Sequence, residues 1–259
     1  MEDAGLFVSL ANIQDDKTEG EYDIEHYADE GLKFASKYME NSMDCSEPDL
    51  REGLIESSKK SIEYQKSNNY LSCWFMGSEE SAGMWSDYGK EGVMVLSNTF
   101  NLNRIFSSSI RNSWELKHVK YDDEEKKKDF REPFKYKNRK HAKGMDQTYQ
   151  KEFRIVFDIN RYNLLTGFEK NTRGISTIGG KPSYESDEIV SCIAKEDRLN
   201  GEAYARKKGN GYVLLCDLNK LISEVRVHPG ASREYLREVQ NLCEKYKLKV
   251  TVEASKLEF

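Results

Sequence analysis

Apolar residues along this chain fall mostly into short runs of four to six bounded by polar turns, and only two stretches carry the three-to-four spacing of a long helix. Gly5 to Leu10 predicts a first strand, followed by a polar turn at Asp15-Asp16-Lys17-Thr18-Glu19-Gly20. Across residues 22–67, Ile24, Tyr27, Leu32, Phe34 and Tyr38 recur at helical spacing. A second helix is predicted from about Glu47 to Tyr64, with Pro48 just inside its start and Asn68-Asn69 ending it. Tyr70 to Phe75 predicts a compact strand. Ser78 is placed to cap a short helix carrying Met84, Trp85 and Tyr88, and Gly92 to Ser97 returns as a buried strand. Leu102 to Ile110 predicts a helix, and residues 116–121 and Glu152 to Phe157 predict strands. Tyr212 to Cys216 and Glu224 to His228 predict two more strands, with a helical turn at Leu218 to Ile222 between them. Ser232 to Tyr246 is amphipathic, with Tyr235, Leu236, Val239, Leu242 and Cys243 on one face, and Lys247 to Val252 predicts a closing strand. Two segments resist this pattern. Asp122 to Lys143 is too polar for a core and holds Pro133, which predicts a loop or exposed basic arm. Residues 158–211 are rich in Gly, Ser, Asn and charge, which predicts an insertion. The expected class is α+β: one domain over residues 1–259, with a mixed or antiparallel sheet and helices to its side.

Composition narrows this picture. A length of 259 residues suffices for a proper core, and 11% aromatics with fifteen Tyr exclude a disordered chain. No run of about 18 apolar residues is present, and the acidic start Met1-Glu2-Asp3 has no signal-peptide pattern. Five cysteines without CxxC spacing predict reduced thiols in a cytoplasmic protein. With four His, none beside a Cys pair, no metal site is expected. The net charge of −5 is unevenly spread: residues 1–60 hold 16 acids against 6 Lys or Arg, whereas residues 126–143 hold 9 Lys or Arg against 2 acids. Such asymmetry fits a basic partner near the front and an anionic one near the middle, or simply two solvated surfaces.

The candidate chemistry centres on Gln150 and Glu152, at the entry to the apolar strand Phe153, Ile155, Val156, Phe157. Residues two apart on a strand point the same way, so the amide and the carboxylate are expected to hold one ligand between them. The competing reading of Glu152 is a surface salt bridge to Arg154 or Lys151, worth little. Ser81, Met84, Trp85 and Tyr88 share one face of the short predicted helix, suited either to stack an aromatic ligand or to pack a core. Ser72 and Tyr88 are polar groups in apolar surroundings and need partners. The basic arm interleaves Phe130, Phe134 and Tyr136 with cations that include Lys135, Lys137, Arg139 and Lys140, a composition suited to single-stranded nucleic acid and equally to a solvated loop. No Ser-His-Asp, HExxH, P-loop or GxGxxG signature is present.

Taken in order, Gly5 to Leu10, Asp16 to Gly20, Cys73-Trp74, Glu80-Ser81, Met84-Trp85, Tyr88, Gly92-Val93, Gln150-Lys151-Glu152-Phe153-Arg154 and the Pro-Gly-Ala of Val225 to Val239 resemble the bacterial domain of unknown function family 2971. That family in turn resembles the ADP-ribosyltransferase fold, a split two-sheet core with NAD in its cleft. The resemblance implies an NAD-dependent ADP-ribosyltransferase, a toxin or phage-defence effector, with NAD as substrate and no metal. Glu152 is the implied catalytic carboxylate, with Gln150 orienting the acceptor. Ser72, Ser81, Trp85, Tyr88 and Arg154 are the implied NAD contacts. The Arg or His that such transferases carry on their first strand has no counterpart assigned in this chain. With the basic arm, the expected acceptor is nucleic acid, RNA before DNA, and an antitoxin protein is an expected partner. The alternatives are a transferase with a protein acceptor and a catalytically inactive binding or sensor module of the same fold.

Overall fold

Glu152 opens the second strand of a six-stranded sheet, and the register of that sheet decides which side chains it can meet. The computed structural model describes residues 4–14, 20–38, 46–89, 92–122, 134–138, 148–166, 168 and 201–257. Strands β1 (Gly5–Leu10), β2 (Asn69–Phe75), β4 (Trp114–His118), β7 (Glu152–Asp158), β8 (Ala205–Lys208) and β9 (Gly211–Leu215) lie in the order β4-β7-β2-β1-β9-β8. All five pairings are antiparallel. A second sheet orders β11 (Thr251–Ala254), β10 (Glu224–Val227) and β3 (Val93–Leu96), with β10 parallel to β11 and antiparallel to β3. Two short strands, β5 (Lys120–Asp122) and β6 (Tyr136–Asn138), form a separate parallel ribbon. The helices are α1 (Ile24–Tyr38), α2 (Glu47–Asn68), α3 (Ala82–Tyr88), α4 (Thr99–Ile105), α5 (Ser108–Asn112), α6 (Ile159–Thr166), α7 (Leu218–Leu221) and α8 (Arg233–Lys245). The class is thus α+β, as the pattern predicts. Among the described residues no helix is long and apolar enough to cross a membrane.

The first six residues of β7 are all buried, because the strand has neighbours on both edges and cover on both faces. One face of the sheet carries the main core: Val8, Ile155, Phe157 and Leu214 pack with Leu102, Phe106, Ile110 and Tyr162. Edge-to-face aromatic contacts, Phe106 on Trp114 at 4.9 Å and Tyr70 on Tyr212 at 4.7 Å, add to the burial. The opposite face holds a smaller cluster of Ala11, Leu71, Val156 and Phe134. Strand alternation assigns the remaining positions. Phe75 pairs with Glu152 and Cys73 with Arg154 on the smaller-cluster face, whereas Trp74 pairs with Phe153 and Ser72 with Ile155 on the main-core face.

The helices begin where short polar side chains can cap them. Ser46 accepts from Asp49 N at the head of α2, with Pro48 in its first turn, and Asn69 ends α2 and starts β2 at once. The cap of α3 is Ser81, which accepts from Met84 N at 3.3 Å, rather than the predicted Ser78. The helix predicted over Leu102 to Ile110 is two helices: Phe106 takes an extended backbone and Ser107 caps α5 anew. β3 is not the buried strand expected, since as an edge strand it leaves Val93 42% and Val95 36% exposed. The closing strand begins only at Thr251, after Lys247 has turned out of α8 with φ 56°.

Two further expectations need correction. The stretch expected to be a loop or exposed arm contains β6, and Phe134 at its head is 2% exposed. Its ring lies against Gly20, where φ is 75° and a Cβ would come within 2.6 Å of the Phe134 ring, so both backbone and packing require glycine there. The segment expected to be an insertion contributes α6 and β8 to the fold. Tyr162 of α6 donates to Gly201 O at 2.7 Å, tying the two ends of that segment together. The turn expected at residues 15–19 and residues 169–200 lie outside the described residues.

Candidate functional site

Gln150 and Glu152 do converge, though not by strand alternation. Gln150 belongs to a 3-10 turn, Thr148–Gln150, and only Glu152 is in β7. Lys151 between them has φ 38°, a left-handed conformation that costs a non-glycine residue of order 1–3 kcal/mol. Phe134, on the other side of the site, has φ 65°. The turn is held against α3: the Tyr149 ring covers Gly83, where a Cβ would approach it to 2.7 Å, and the Tyr149 hydroxyl donates to Asp87. The strained step at Lys151 then brings both side chains to one cation. Lys137 Nζ donates to Gln150 Oε1 at 3.4 Å and to Glu152 Oε2 at 3.3 Å.

Four more groups complete the cluster. Arg154 Nε donates to Glu152 Oε1 at 2.6 Å, and its other arm donates to Phe134 O at 2.9 Å. Gln150 Nε2 donates to the Tyr88 hydroxyl at 3.1 Å, at the end of α3. The Tyr121 hydroxyl accepts from Glu152 N at 3.3 Å. The Cys73 thiol, opposite Arg154 on β2, donates to the carboxylate. The surface salt bridge considered for Glu152 exists in a different setting: the partner is Arg154, but the pair is buried, with side chains 8% and 0% exposed. Such a pair rests on its hydrogen bonds as much as on its charges, and removing one member leaves the other stranded.

The electrostatics follow from these contacts. Burial pushes the Glu152 carboxyl up, but Arg154, by charge and by hydrogen bond, then Lys137 and Cys73, outweigh it and hold the carboxyl below its ordinary value. Glu152 is therefore an anion at neutral pH, an acceptor and a stabiliser of positive charge rather than a strong base. Burial raises the Tyr121 phenol far above its ordinary range, helped by the Glu152 charge, so Tyr121 stays neutral. Oε1 is committed to Arg154 at short range. Oε2, on the longer contact to Lys137, is the oxygen that can change partner.

The other residues singled out in the sequence divide sharply. Tyr88 is at the site and 67% exposed, with its ring in solvent. Ser72 is not at the site: it lies on the main-core face, and its hydroxyl accepts from Trp74 Nε1 at 3.1 Å. Ser81 is occupied as the cap of α3. Trp85 is 4% exposed, packs edge-on against His228 at 5.5 Å, and donates to Glu80 Oε2 at 2.9 Å. Arg154 is fully buried and positions Glu152 instead of meeting a ligand. Lys137, expected to face nucleic acid, points inward with 13% of its side chain exposed. Lys135, half-buried just before β6, has its Nζ 5.9 Å from the centre of the Tyr136 ring. Arg139 and Lys140 lie outside the described residues. β1, the strand beside β2, carries neither Arg nor His. Tyr121, Cys73 and Phe134 are site members that pattern reading missed. The one available signal was the alternation Lys135-Tyr136-Lys137, strand-like within a run that reads as pure charge.

Two cavities, of about 530 and 460 Å³, lie along the α1–α2 hairpin, the first lined by Asp29, Lys33 and Glu47, the second by Tyr22, Ile62 and Lys66. Neither is lined by a residue of the Glu152 cluster. Among the described residues no group of three or more His, Cys, Asp or Glu side chains is placed to hold a metal ion.

The family described as "Protein of unknown function (DUF2971)" matches residues 84–176, from Met84 in α3 through β7 and α6. The match supports a likeness to that family over the stretch that holds Tyr88, Tyr121, Lys137, Gln150, Glu152 and Arg154. It does not reach Gly5 to Gly20, Cys73-Trp74, Glu80-Ser81 or Val225 to Val239. No characterised protein and no solved structure matches the chain.

Proposed function

We propose that this chain transfers ADP-ribose from NAD, with Glu152 as the catalytic carboxylate and Gln150 as the group that orients the acceptor. The observation that carries the reading is the convergence of the Gln150 amide and the Glu152 carboxylate on one point beside the exposed ring of Tyr88. In this step the bond from the nicotinamide-ribose anomeric carbon to the ring nitrogen breaks, and nicotinamide leaves neutral with the bonding pair. The acceptor forms a bond to the same carbon and gives up its proton to solvent, since a carboxylate held this low is a poor base. Glu152 Oε2 accepts from the ribose hydroxyl and stabilises the positive charge that develops as the bond breaks, an effect aimed at the transition state. Tyr88 stacks on the nicotinamide, and Arg154 holds the carboxylate in place.

Lys137 already donates to Oε2, the oxygen assigned to the ribose hydroxyl, so the substrate must displace the Lys137 side chain. Lys137→Met should bind NAD roughly tenfold more tightly, by about 1.4 kcal/mol, because no ammonium competes for Oε2 or repels the pyridinium. Calorimetric titration of NAD into both proteins measures it. Weaker binding by the variant would make Lys137 a ligand for the diphosphate and overturn the placement of the ribose.

A second reading is favoured by one observation: Glu152 is 8% exposed with both oxygens held by cations, as in a module that binds without turnover. Incubating the chain with labelled NAD and with RNA, DNA and protein pools separates the two. Transfer of label supports the first reading. A thermal shift with NAD and no transfer supports the second. No shift and no label removes NAD from both.

A further inference from the structure

β3 is an edge of the three-stranded sheet, and among the described residues no strand pairs with its outer side. On the inner side, His228 N donates to Gly92 O at 3.2 Å and Ser223 N to Leu96 O at 2.9 Å. Gly92, Met94 and Leu96 therefore turn their backbone groups toward β10, and the N–H and C=O of Val93 and Val95 point the other way. The two valine side chains share a face with Val227 and Val225, which are buried, yet both are exposed. α8 packs on β10 and β11, the other two strands of the sheet. Other edge strands carry charges that deter pairing: Glu115 and Lys117 in β4, Lys207 in β8, Glu253 in β11, Lys120 in β5 and Lys137 in β6. β3 reads Val-Met-Val-Leu and has neither a charge nor a proline.

We propose that β3 pairs antiparallel with β3 of a second copy of this chain, about a two-fold axis at Met94. In that register Val93 lies opposite Val95 of the second copy, and Val95 opposite its Val93. Each is a hydrogen-bonded pair, so every outward N–H and C=O of the four valines is satisfied. The segment is thus its own complement, which is what a closed, two-fold interface requires. The valines also meet as β-branched cross-strand pairs, extending onto the seam the apolar face that Val225 and Val227 begin. Charge permits the approach: on the other face, Arg226 is already bound to Glu224 and Glu80, so the nearest cation of the sheet is engaged. The two three-stranded sheets become one of six strands. One short turn separates β3 from Tyr88, with Gly92 N donating to Gly89 O at 3.0 Å, so the pairing anchors the strand beside the helix that presents Tyr88. The inference is independent of the transfer chemistry.

Sedimentation velocity of the full chain tests it. A four-residue pairing is at the low end of interface size, so the mean mass should rise from one chain toward two between about 5 and 500 μM. Val95→Lys puts on β3 the kind of charge the other edges carry, and should weaken association at least roughly tenfold. The lysine stem can reach solvent from this exposed position, and circular dichroism checks that the variant is folded. Val95→Ile keeps a branched apolar side chain and should keep the dimer. A second measurement reads the register. Met94 is the non-hydrogen-bonded pair on the axis, where the two Cα atoms lie about 4.5 Å apart, within the reach of a disulfide. Met94→Cys treated with diamide, which oxidises two thiols to one disulfide, should therefore give a linked dimer on a non-reducing gel far in excess of the wild type. The proposal is overturned if the wild type stays a monomer throughout, which would leave the edge to another segment of this chain or to a different protein. It is overturned equally if folded Val95→Lys associates as the wild type does, or if Met94→Cys yields no linked dimer.

Discussion

Glu152→Gln should lower NAD-dependent transfer at least 100-fold while leaving the fold recognisable. The size follows from loss of one preorganised electrostatic group at a site of developing charge, which costs of order 10²–10³ in rate. The amide keeps the shape of the carboxyl and can still accept from Arg154 Nε, so the geometry at Oε1 survives. It loses the negative charge opposite the ribose. The substitution also leaves Arg154, which is fully buried, without its counter-ion, and breaking such a pair costs about 3–5 kcal/mol of stability. Rates must therefore be compared at a temperature where circular dichroism shows both proteins folded. The pH profile gives a second reading of the same group. Since Arg154 and Lys137 hold Glu152 below its ordinary value, wild-type transfer should be flat through neutral pH and fall only on the acid side of 4.5. Full activity in Glu152→Gln, or a limb near pH 6–7, would remove Glu152 from the chemistry.

How far the sequence foretells this site depends on the range of the interactions involved. The strand predicted from Glu152 to Phe157 is legible because burial on both faces demands apolar residues at successive positions, here Phe153 and Ile155-Val156-Phe157, broken only by Arg154. A cap acts within three residues, yet several polar side chains compete for it: Ser81 rather than the predicted Ser78 caps α3. The meeting of Gln150 with Glu152 is foreseen for a reason that does not hold: the two are joined by a strained turn at Lys151, and a positive φ at a lysine leaves no mark in composition. Arg154 is nearer its true place in the salt-bridge reading than as a ligand contact, because burial turns a weak surface pair into a tightly held one. Ser72 is misplaced by one position of register: Cys73, its neighbour opposite Arg154, lies on the Glu152 side of β2 and its thiol reaches the carboxylate. Lys137 is hidden among eight other cations, and only the pairing of β6 with β5 distinguishes the one that turns inward.

Stability depends on a second carboxylate, remote from Glu152. Glu80, 3% exposed, accepts from Trp85 Nε1 at 2.9 Å, from Arg226 at 2.6 Å, from Lys256 N at 2.9 Å and from the Ser255 hydroxyl. It thereby ties the segment before α3 to β10 and to the residues after β11, and so fixes the helix that presents Tyr88. Burial alone would push Glu80 up, but the bonds from Lys256 N, Ser255, Trp85 and Arg226 bring it down to about 2. A folded-state value about two and a half units below the ordinary 4.5, at about 1.4 kcal/mol per unit, corresponds to about 3 kcal/mol of stability. Because the shift is downward, that stability is complete above pH 4.5 and is lost as pH falls toward 2. Glu80→Gln should therefore unfold at lower urea than the wild type at pH 7, by about 3 kcal/mol, with Arg226 keeping Glu224 as its remaining partner. The gap should narrow steadily between pH 4.5 and 2.5, because only the wild type still has this carboxylate to protonate. Other carboxylates, Glu152 among them, titrate equally in both proteins and cancel in the difference. A gap that stays constant with pH would mean that Glu80 contributes packing and neutral hydrogen bonds, and that its charge is not what holds α3 to the second sheet.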